Sequence, residues 1–141
     1  MWRRILLVLL IANAVAAFAG MTGLINNGLG LGEEMLDGTP FESYLLPGLL
    51  LGAGVGLTHV VAAVLVWRLM PYAALASMAS AFALAIWMFV QVSLIGGGFA
   101  LQWIFFALAM IEIGVIAAWL GLFQSVAPQS SRSRMARART P

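Results

Sequence analysis

The chain contains no cysteine and no lysine, and only 9% of its 141 residues are charged. The lack of cysteine excludes disulfides, thiolate nucleophiles and thiolate metal sites. So few charges cannot cover a soluble domain of this size, which needs a charged shell because its surface-to-volume ratio is high. With 63% hydrophobic residues, the composition instead predicts a protein surrounded by the lipid bilayer.

Four long apolar segments contain no arginine: 5–25, 44–67, 72–95 and 99–122. About 20 helical residues cross a typical hydrocarbon core, so each segment is long enough to span it. The alternating pattern of transmembrane β-barrel strands is absent from them. Two tight turns, RLMPY and IGGGFA, make the helices that they join antiparallel neighbours. We therefore expect residues 1–123 to form an all-α domain, an up-down bundle of four transmembrane helices.

The arginines indicate the orientation of this bundle. With four spans, all seven arginines lie on one side of the membrane, and four of the five acidic residues lie on the other. Arginine-rich segments are typically retained in the cytoplasm, so both termini are expected to be cytoplasmic. The arginines are Arg3, Arg4, Arg68, Arg132, Arg134, Arg137 and Arg139, and the acids opposite them are Glu33, Glu34, Asp37 and Glu42.

Two segments are predicted to lie outside the hydrocarbon. Residues 26–43 form a glycine-rich extracytoplasmic loop. Residues 124–141 contain four arginines and no acid, which predicts a disordered cytoplasmic tail. Each of its arginines is expected to contribute about 1 kcal/mol to binding anionic lipid headgroups. Nucleic acid is not an expected partner, because membrane topology explains the arginine positions better.

The first segment has a second interpretation. Its basic start, apolar stretch and Ala-Phe-Ala triplet at 17–19 are typical of a cleaved signal peptide. Hydrophobicity continues through Ile25, and polar residues begin only at Asn26, which favours a retained helix. Cleavage stays the alternative, and the other three spans keep their orientation in either case.

Each predicted helix carries one polar side chain at a similar depth. Counted from the cytoplasmic segment ends, these residues lie about 14–15 Å deep at the helical rise. A charged carboxylate at that depth costs about 3 kcal/mol and must be paired, neutralised or hydrated. In the spans, only a histidine side chain can carry positive charge, so the histidine is the expected partner of the carboxylate. The residues are Asn13, His59, Ser80 and Glu112.

His59 and Glu112 are expected to point inward together. His59 shares a helical face with Gly52 and Gly56, a face suited to packing rather than to lipid. Because the second and fourth helices are diagonal in a square bundle, we expect their contact to run through Asn13 or Ser80. The full glycine stripe, which offers a smooth face for contact within the bundle or between protomers, is Gly48, Gly52 and Gly56.

Two interpretations of the polar layer stay open. One is a buried clasp that fixes the register of the helices. The other is a proton-coupled site, with Glu112 as the proton carrier and His59 as its partner. The clasp is favoured because no further charged residues lead from the layer to the outer side. An outer polar set would extend the second interpretation into a half-channel, and its members are Asn26, Gln91 and Gln102.

Other site chemistries find little support. A single histidine cannot supply the usual ligands of a metal, and a bis-histidine haem would need two subunits. The G-x-S-x-G motif of a serine hydrolase is missing, and GLGLG lacks the context of a phosphate-binding loop. We therefore expect neither enzymatic activity nor a cofactor.

Two stretches, PFESYLLPGLLL (40–51) and WMFVQVSLIGGGFALQWIF (87–105), resemble a group of small four-helix bacterial membrane proteins common in actinobacteria. The resemblance covers most of the spans but not the tail, and it implies the fold and no active residues. The expected protein is a multi-pass component of the bacterial inner membrane. Its expected role is structural or accessory, assembled with itself or within a larger membrane complex, and the alternative is a small proton-coupled transporter or channel using Glu112 and His59.

Overall fold

The structure is a computed structural model that describes residues 1–96 and 99–122. All regular secondary structure in these two ranges is helical, and four helices are long and apolar enough to cross a membrane. The predicted all-α class is therefore confirmed, and so is the presence of four helices long and apolar enough to span a membrane. The predicted tail, 124–141, lies outside the described residues.

The first span is helix α1, Trp2–Asn27. It begins before the apolar run, because Arg3 and Arg4 are themselves good helix formers. Gly28 follows the last turn in the left-handed conformation, with φ 61°. Its missing Cβ makes this conformation inexpensive. The connector to the next span then contains two short 3₁₀ turns, Gly28–Gly30 and Glu33–Leu36.

The second span is continuous but not uniform. It runs through α2 (Leu45–Leu50), a π-helical segment (Leu51–Leu57) and α3 (Thr58–Trp67). The π-helical segment has the sequence LGAGVGL, in which Gly52 and Gly56 lie against α1 and Gly54 has open space beside it. π-Helical turns are rare in proteins, and those that occur are often found at functional sites. His59 is the second residue after this segment.

The third and fourth spans are α4, Ala73–Ile95, and α5, Ala100–Trp119. In the turn before α4, the Met70 N–H donates to the Leu65 carbonyl over 3.0 Å. Leu69 has φ 55° there, in a position that glycine usually occupies. This bond is the closing bond of a Schellman motif, so the chain reverses within a few residues.

The helices enclose two groups of buried apolar side chains. α1 contacts the second span and α5, α3 contacts α4, and α4 contacts α5. The first group, here the terminal core, consists of Leu6, Leu10, Ala62, Ala63, Val66, Ala73, Ala81, Val115 and Ile116. The second group, here the loop core, consists of Ala17, Leu24, Leu51, Val55, Leu84, Ala85, Met88 and Ala109.

The glycine stripe of the second span, Gly48, Gly52 and Gly56, packs against α1. A Cβ added to Gly56 would lie 3.1 Å from the Phe18 ring, and one added to Gly48 would lie 2.9 Å from Ile25. The stripe therefore lets two helices of the same chain approach closely, as small residues do in membrane proteins. Of the two uses expected for this stripe, the structure contains the one within the bundle.

Candidate functional site

The structure brings together the four polar residues that the sequence places at one depth. They are nearly inaccessible, with 3% of Asn13 exposed and 0% of each of His59, Ser80 and Glu112. Each of the four spans supplies one of them. None faces lipid, which agrees with the high cost of an exposed polar side chain at this depth. Together they form the polar cluster.

Glu112 is the centre of the polar cluster. Its Oε2 accepts a hydrogen bond of 2.9 Å from Asn13 Nδ2 and lies 3.4 Å from His59 Nε2. The histidine thus reaches the carboxyl group directly, whereas the sequence predicts a bridge through Asn13 or Ser80. The reason is side-chain length: the imidazole and carboxyl groups on diagonal helices are long enough to meet, and Asn13 and Ser80 contact the carboxyl group from the other two helices.

Ser80 is a weaker partner of the carboxyl group. Its Oγ lies 3.4 Å from Glu112 Oε1 but 2.9 Å from the Ser77 carbonyl oxygen. A hydroxyl group has one hydrogen to donate, and the shorter contact is the better hydrogen bond. Ser80 therefore donates mainly to its own helix, and Asn13 is the principal hydrogen-bond donor to Glu112.

One backbone contact limits where protons sit on His59. Its Nδ1 lies 2.7 Å from the Val55 carbonyl oxygen, and a carbonyl group only accepts, so Nδ1 carries a hydrogen. Nε2 lies 3.4 Å from Glu112 Oε2 and has no hydrogen-bond partner in the described structure. A proton on Nε2 would make an ion pair with the carboxylate, and a proton on Oε2 would leave both groups neutral. The pair therefore has two possible positions for one proton.

The polar cluster lies where the two apolar cores meet. In α1, Asn13 stands between Leu10 of the terminal core and Ala17 of the loop core. Two other spans repeat this order, with His59 between Val55 and Ala62 and Glu112 between Ala109 and Val115. In α4, Ser80 lies beside Ala81 of the terminal core, just before Leu84 of the loop core. The cluster is therefore a polar layer across the bundle.

A cavity of about 630 Å³ lies within the loop core. Asn13 lines it, and it extends to the molecular surface at Ala19 and Leu101, both of which are exposed. Most of its wall is aliphatic or aromatic, and Gln91 and Gln102 contribute polar atoms. The open cavity is thus lined by Asn13, whose side chain is hydrogen-bonded to the buried carboxyl group of Glu112.

The predicted outer polar set is only partly assembled. Gln91 and Gln102 line the cavity, whereas Asn26 is exposed and lines a separate shallow cleft beside Tyr44. In the described structure Asn26 is therefore not grouped with the two glutamines. It lies in the last turn of α1, Trp2–Asn27, beside Gly28 and Tyr44 in the other cleft.

Gln102 and Trp87 carry buried polar atoms without protein partners. Gln102 is 5% exposed, and within the described ranges neither its amide nitrogen nor its amide oxygen has a hydrogen-bond partner. The same holds for Trp87 Nε1. Sequence reasoning missed Trp87, although its spacing of four residues from Gln91 put both on one helical face. Buried polar groups are normally paired, so these atoms are available to a ligand or to water.

Comparison with protein-family models, with curated proteins and with solved structures finds no match to this chain. Across the residues with described positions, no three His, Cys, Asp or Glu side chains are grouped as metal ligands would be. The features from which a function can be proposed are the His59–Glu112 pair and the cavity beside it.

Proposed function

We propose that the protein is a small proton-coupled membrane transporter in which the His59–Glu112 pair takes up and releases a proton. One observation carries this proposal: Asn13 lines the cavity and also donates to Glu112 Oε2 over 2.9 Å. A molecule at the Asn13 wall of the cavity therefore contacts a residue that is hydrogen-bonded to Glu112, which holds the proton. A change in the protonation of the pair alters this hydrogen bond, and with it the end of the cavity.

Proton release supplies the coupling in this proposal. When the shared proton leaves, Glu112 is a carboxylate beside a neutral imidazole, 0% exposed. An unpaired charge at this depth costs about 3 kcal/mol or more. Release therefore requires a compensating change, either water entering the cavity or a movement of the helices. Proton release is therefore coupled to hydration of the cavity or to a change in the arrangement of the helices.

Access to the polar cluster is one-sided, as a transporter in one of its end states requires. On one side lies the open cavity. On the other side the terminal core is closed, and Leu10, Val66 and Ile116 are each 0% exposed. The π-helical segment Leu51–Leu57 supplies two residues of the cavity wall. Its widened turns make it the part of the bundle best suited to change register.

For orientation, we propose alternating helix directions, with both termini in the cytoplasm of a bacterial inner membrane. The terminal core supports this arrangement, because it groups the start of α1 with the ends of α3 and α5 and the start of α4. Arg3, Arg4 and Arg68 adjoin those helix ends, where positive residues mark the cytoplasmic side. The cavity then opens in the outer half of the membrane.

The second candidate is a structural or accessory role in a membrane assembly. The observation that favours it is the composition of the polar cluster, to which every span contributes one buried side chain. Such a cluster holds helices in register without moving a proton. The two candidates differ in what Glu112→Gln does, because an amide preserves the shape of the side chain but cannot exchange the proton.

The test is proton flux into vesicles that contain the purified full chain, driven by a potassium diffusion potential and measured with a pH-sensitive dye. We expect flux above that of protein-free vesicles, its loss in Glu112→Gln, and wild-type flux in the control Glu42→Gln. The control makes the same chemical change at an exposed loop carboxylate. Flux that Glu112→Gln leaves intact, or wild-type flux equal to that of empty vesicles, would refute the proposal and favour the clasp.

A further inference from the structure

The polar atoms of the cavity define what it can bind. Trp87 offers one N–H donor, and Gln102 offers two N–H donors and one acceptor. All of these atoms are buried and without protein partners in the described structure. These unpartnered groups offer three donor hydrogens but a single acceptor oxygen. The complementary ligand therefore carries an acceptor with two lone pairs, and a carbonyl oxygen is the simplest such group.

The walls of the cavity add charge and shape to this description. No Asp, Glu, Arg or His lines it among the described residues, so an ionic ligand would be desolvated without compensation. Three aromatic side chains, those of Trp87, Phe99 and Phe105, belong to its wall. Aromatic rings pack well against flat rings. The volume of about 630 Å³ is in the range of small-molecule sites.

We propose that this cavity binds a neutral lipophilic molecule with a flat ring and a ring-conjugated carbonyl oxygen, the chemistry of aryl ketones and quinones. The carbonyl oxygen accepts from Gln102 and Trp87, and the ring lies among the aromatic side chains. The ligand enters from the surface at Ala19 and Leu101, which are exposed on adjacent spans. The inference rests on the proposed function in one respect, because it names the class of molecule that moves with the proton.

Benzophenone, a neutral diaryl ketone, is a direct probe of this site. Under near-ultraviolet light, its carbonyl oxygen takes a hydrogen atom from a nearby C–H bond, and the two carbon radicals then join, so that no atom is lost. The chain offers a matched pair of reactive methionines. Met88 lines the cavity and is 6% exposed, whereas Met110 is 42% exposed on the outer surface of the bundle.

The experiment irradiates the full chain in lipid nanodiscs with benzophenone and measures the adducts on each methionine by mass spectrometry. We expect Met88 to be labelled in preference to Met110. Gln102→Leu should lower the Met88 adduct about tenfold, as expected for a lost hydrogen bond to the ligand, and leave Met110 unchanged. Trp87→Phe, which keeps a ring and removes only the N–H, should lower it less. Fluorenone should compete at concentrations at which fluorene, its counterpart without the carbonyl, does not.

Equal labelling of the two methionines would show partition into lipid alone and would overturn the inference. So would Met88 labelling that neither Gln102→Leu nor Trp87→Phe reduces. Flux and labelling measured on the wild-type protein separate this inference from the proposed function. Specific Met88 labelling with proton flux no higher than that of empty vesicles would leave the ligand site standing and refute the transporter, and proton flux without Met88 labelling would do the reverse.

Discussion

The terminal core and the loop core are made of similar residues but are packed differently. In the terminal core, Leu6, Leu10 and Ile116 are fully buried against their neighbours. The loop core surrounds a cavity of about 630 Å³. Protein interiors are normally closely packed, and an open cavity of this size beside the polar cluster distinguishes one half of the bundle from the other.

The difference comes from the side of α1 that faces the cavity. In the terminal core, that helix contributes two leucines. Further along, it presents a run of small residues to the cavity: Ala16, Ala17, Ala19 and Gly20. Small side chains leave space unless the neighbouring helix moves closer, and α5 does not close the gap at this level. The closed core holds the helices together, and the open core leaves room for a ligand.

The largest expected effect separates the two cores through a pair of leucines in α1. Leu10 belongs to the terminal core and is 0% exposed, and Leu24 belongs to the loop core, lines the cavity and is 5% exposed. We expect Leu10→Ala to lower the free energy of unfolding by about 2–3 kcal/mol, because closely packed surroundings lose contacts that they cannot rebuild. Leu24→Ala should cost about 1 kcal/mol, since it only enlarges an existing void. Unfolding by dodecyl sulfate in mixed micelles, followed through the loss of the helical signal, measures both changes in the free energy of unfolding. Equal losses would mean that the two cores are packed alike.

A smaller effect should follow from adding volume rather than removing it. Ala17 lines the cavity, whereas Ala62 lies in the terminal core at 0% exposure. We expect Ala62→Leu to destabilise the bundle by about 1–2 kcal/mol through overpacking. Ala17→Leu should be neutral or stabilise by up to about 1 kcal/mol, because the added side chain fills empty space. The same micelle assay applies, and Ala17→Leu should also lower benzophenone labelling of Met88. Destabilisation by Ala17→Leu as large as that by Ala62→Leu would contradict an open loop core.

The spans and the polar cluster could be predicted from the sequence because both follow from the free-energy cost of polar groups in lipid. Long runs without charge have to be helices in the membrane, and an isolated pair such as His59 and Glu112 has to turn inward. The cavity follows from no such rule. It depends on how closely two helices approach over several alanines, and on the π-helical segment Leu51–Leu57, whose i→i+5 hydrogen bonds alter the regular helical period. Trp87 was missed for the same reason, since only the shape of the cavity gives its N–H a role.

The smallest effect concerns Tyr44, which packs against the loop core just before the second span. Its hydroxyl donates to the Gly32 carbonyl over 2.7 Å and so ties the 26–43 loop to the bundle. Burial, and then the charges of Glu33 and Glu34, raise the pKa of Tyr44 above its ordinary 10.0. The folded loop therefore favours the neutral phenol. Its stabilising contribution is complete below pH 10.0 and is lost as the pH rises through the raised pKa, when the phenolate can no longer donate.

The difference in phenolate absorbance between wild type and Tyr44→Phe isolates this titration, because the chain has only two tyrosines. We expect the raised pKa of Tyr44 to return only part of the way in the double variant Glu33→Gln/Glu34→Gln, since burial is the larger cause and the two charges the smaller. Return of the pKa all the way to its ordinary value would assign the shift to the loop charges alone.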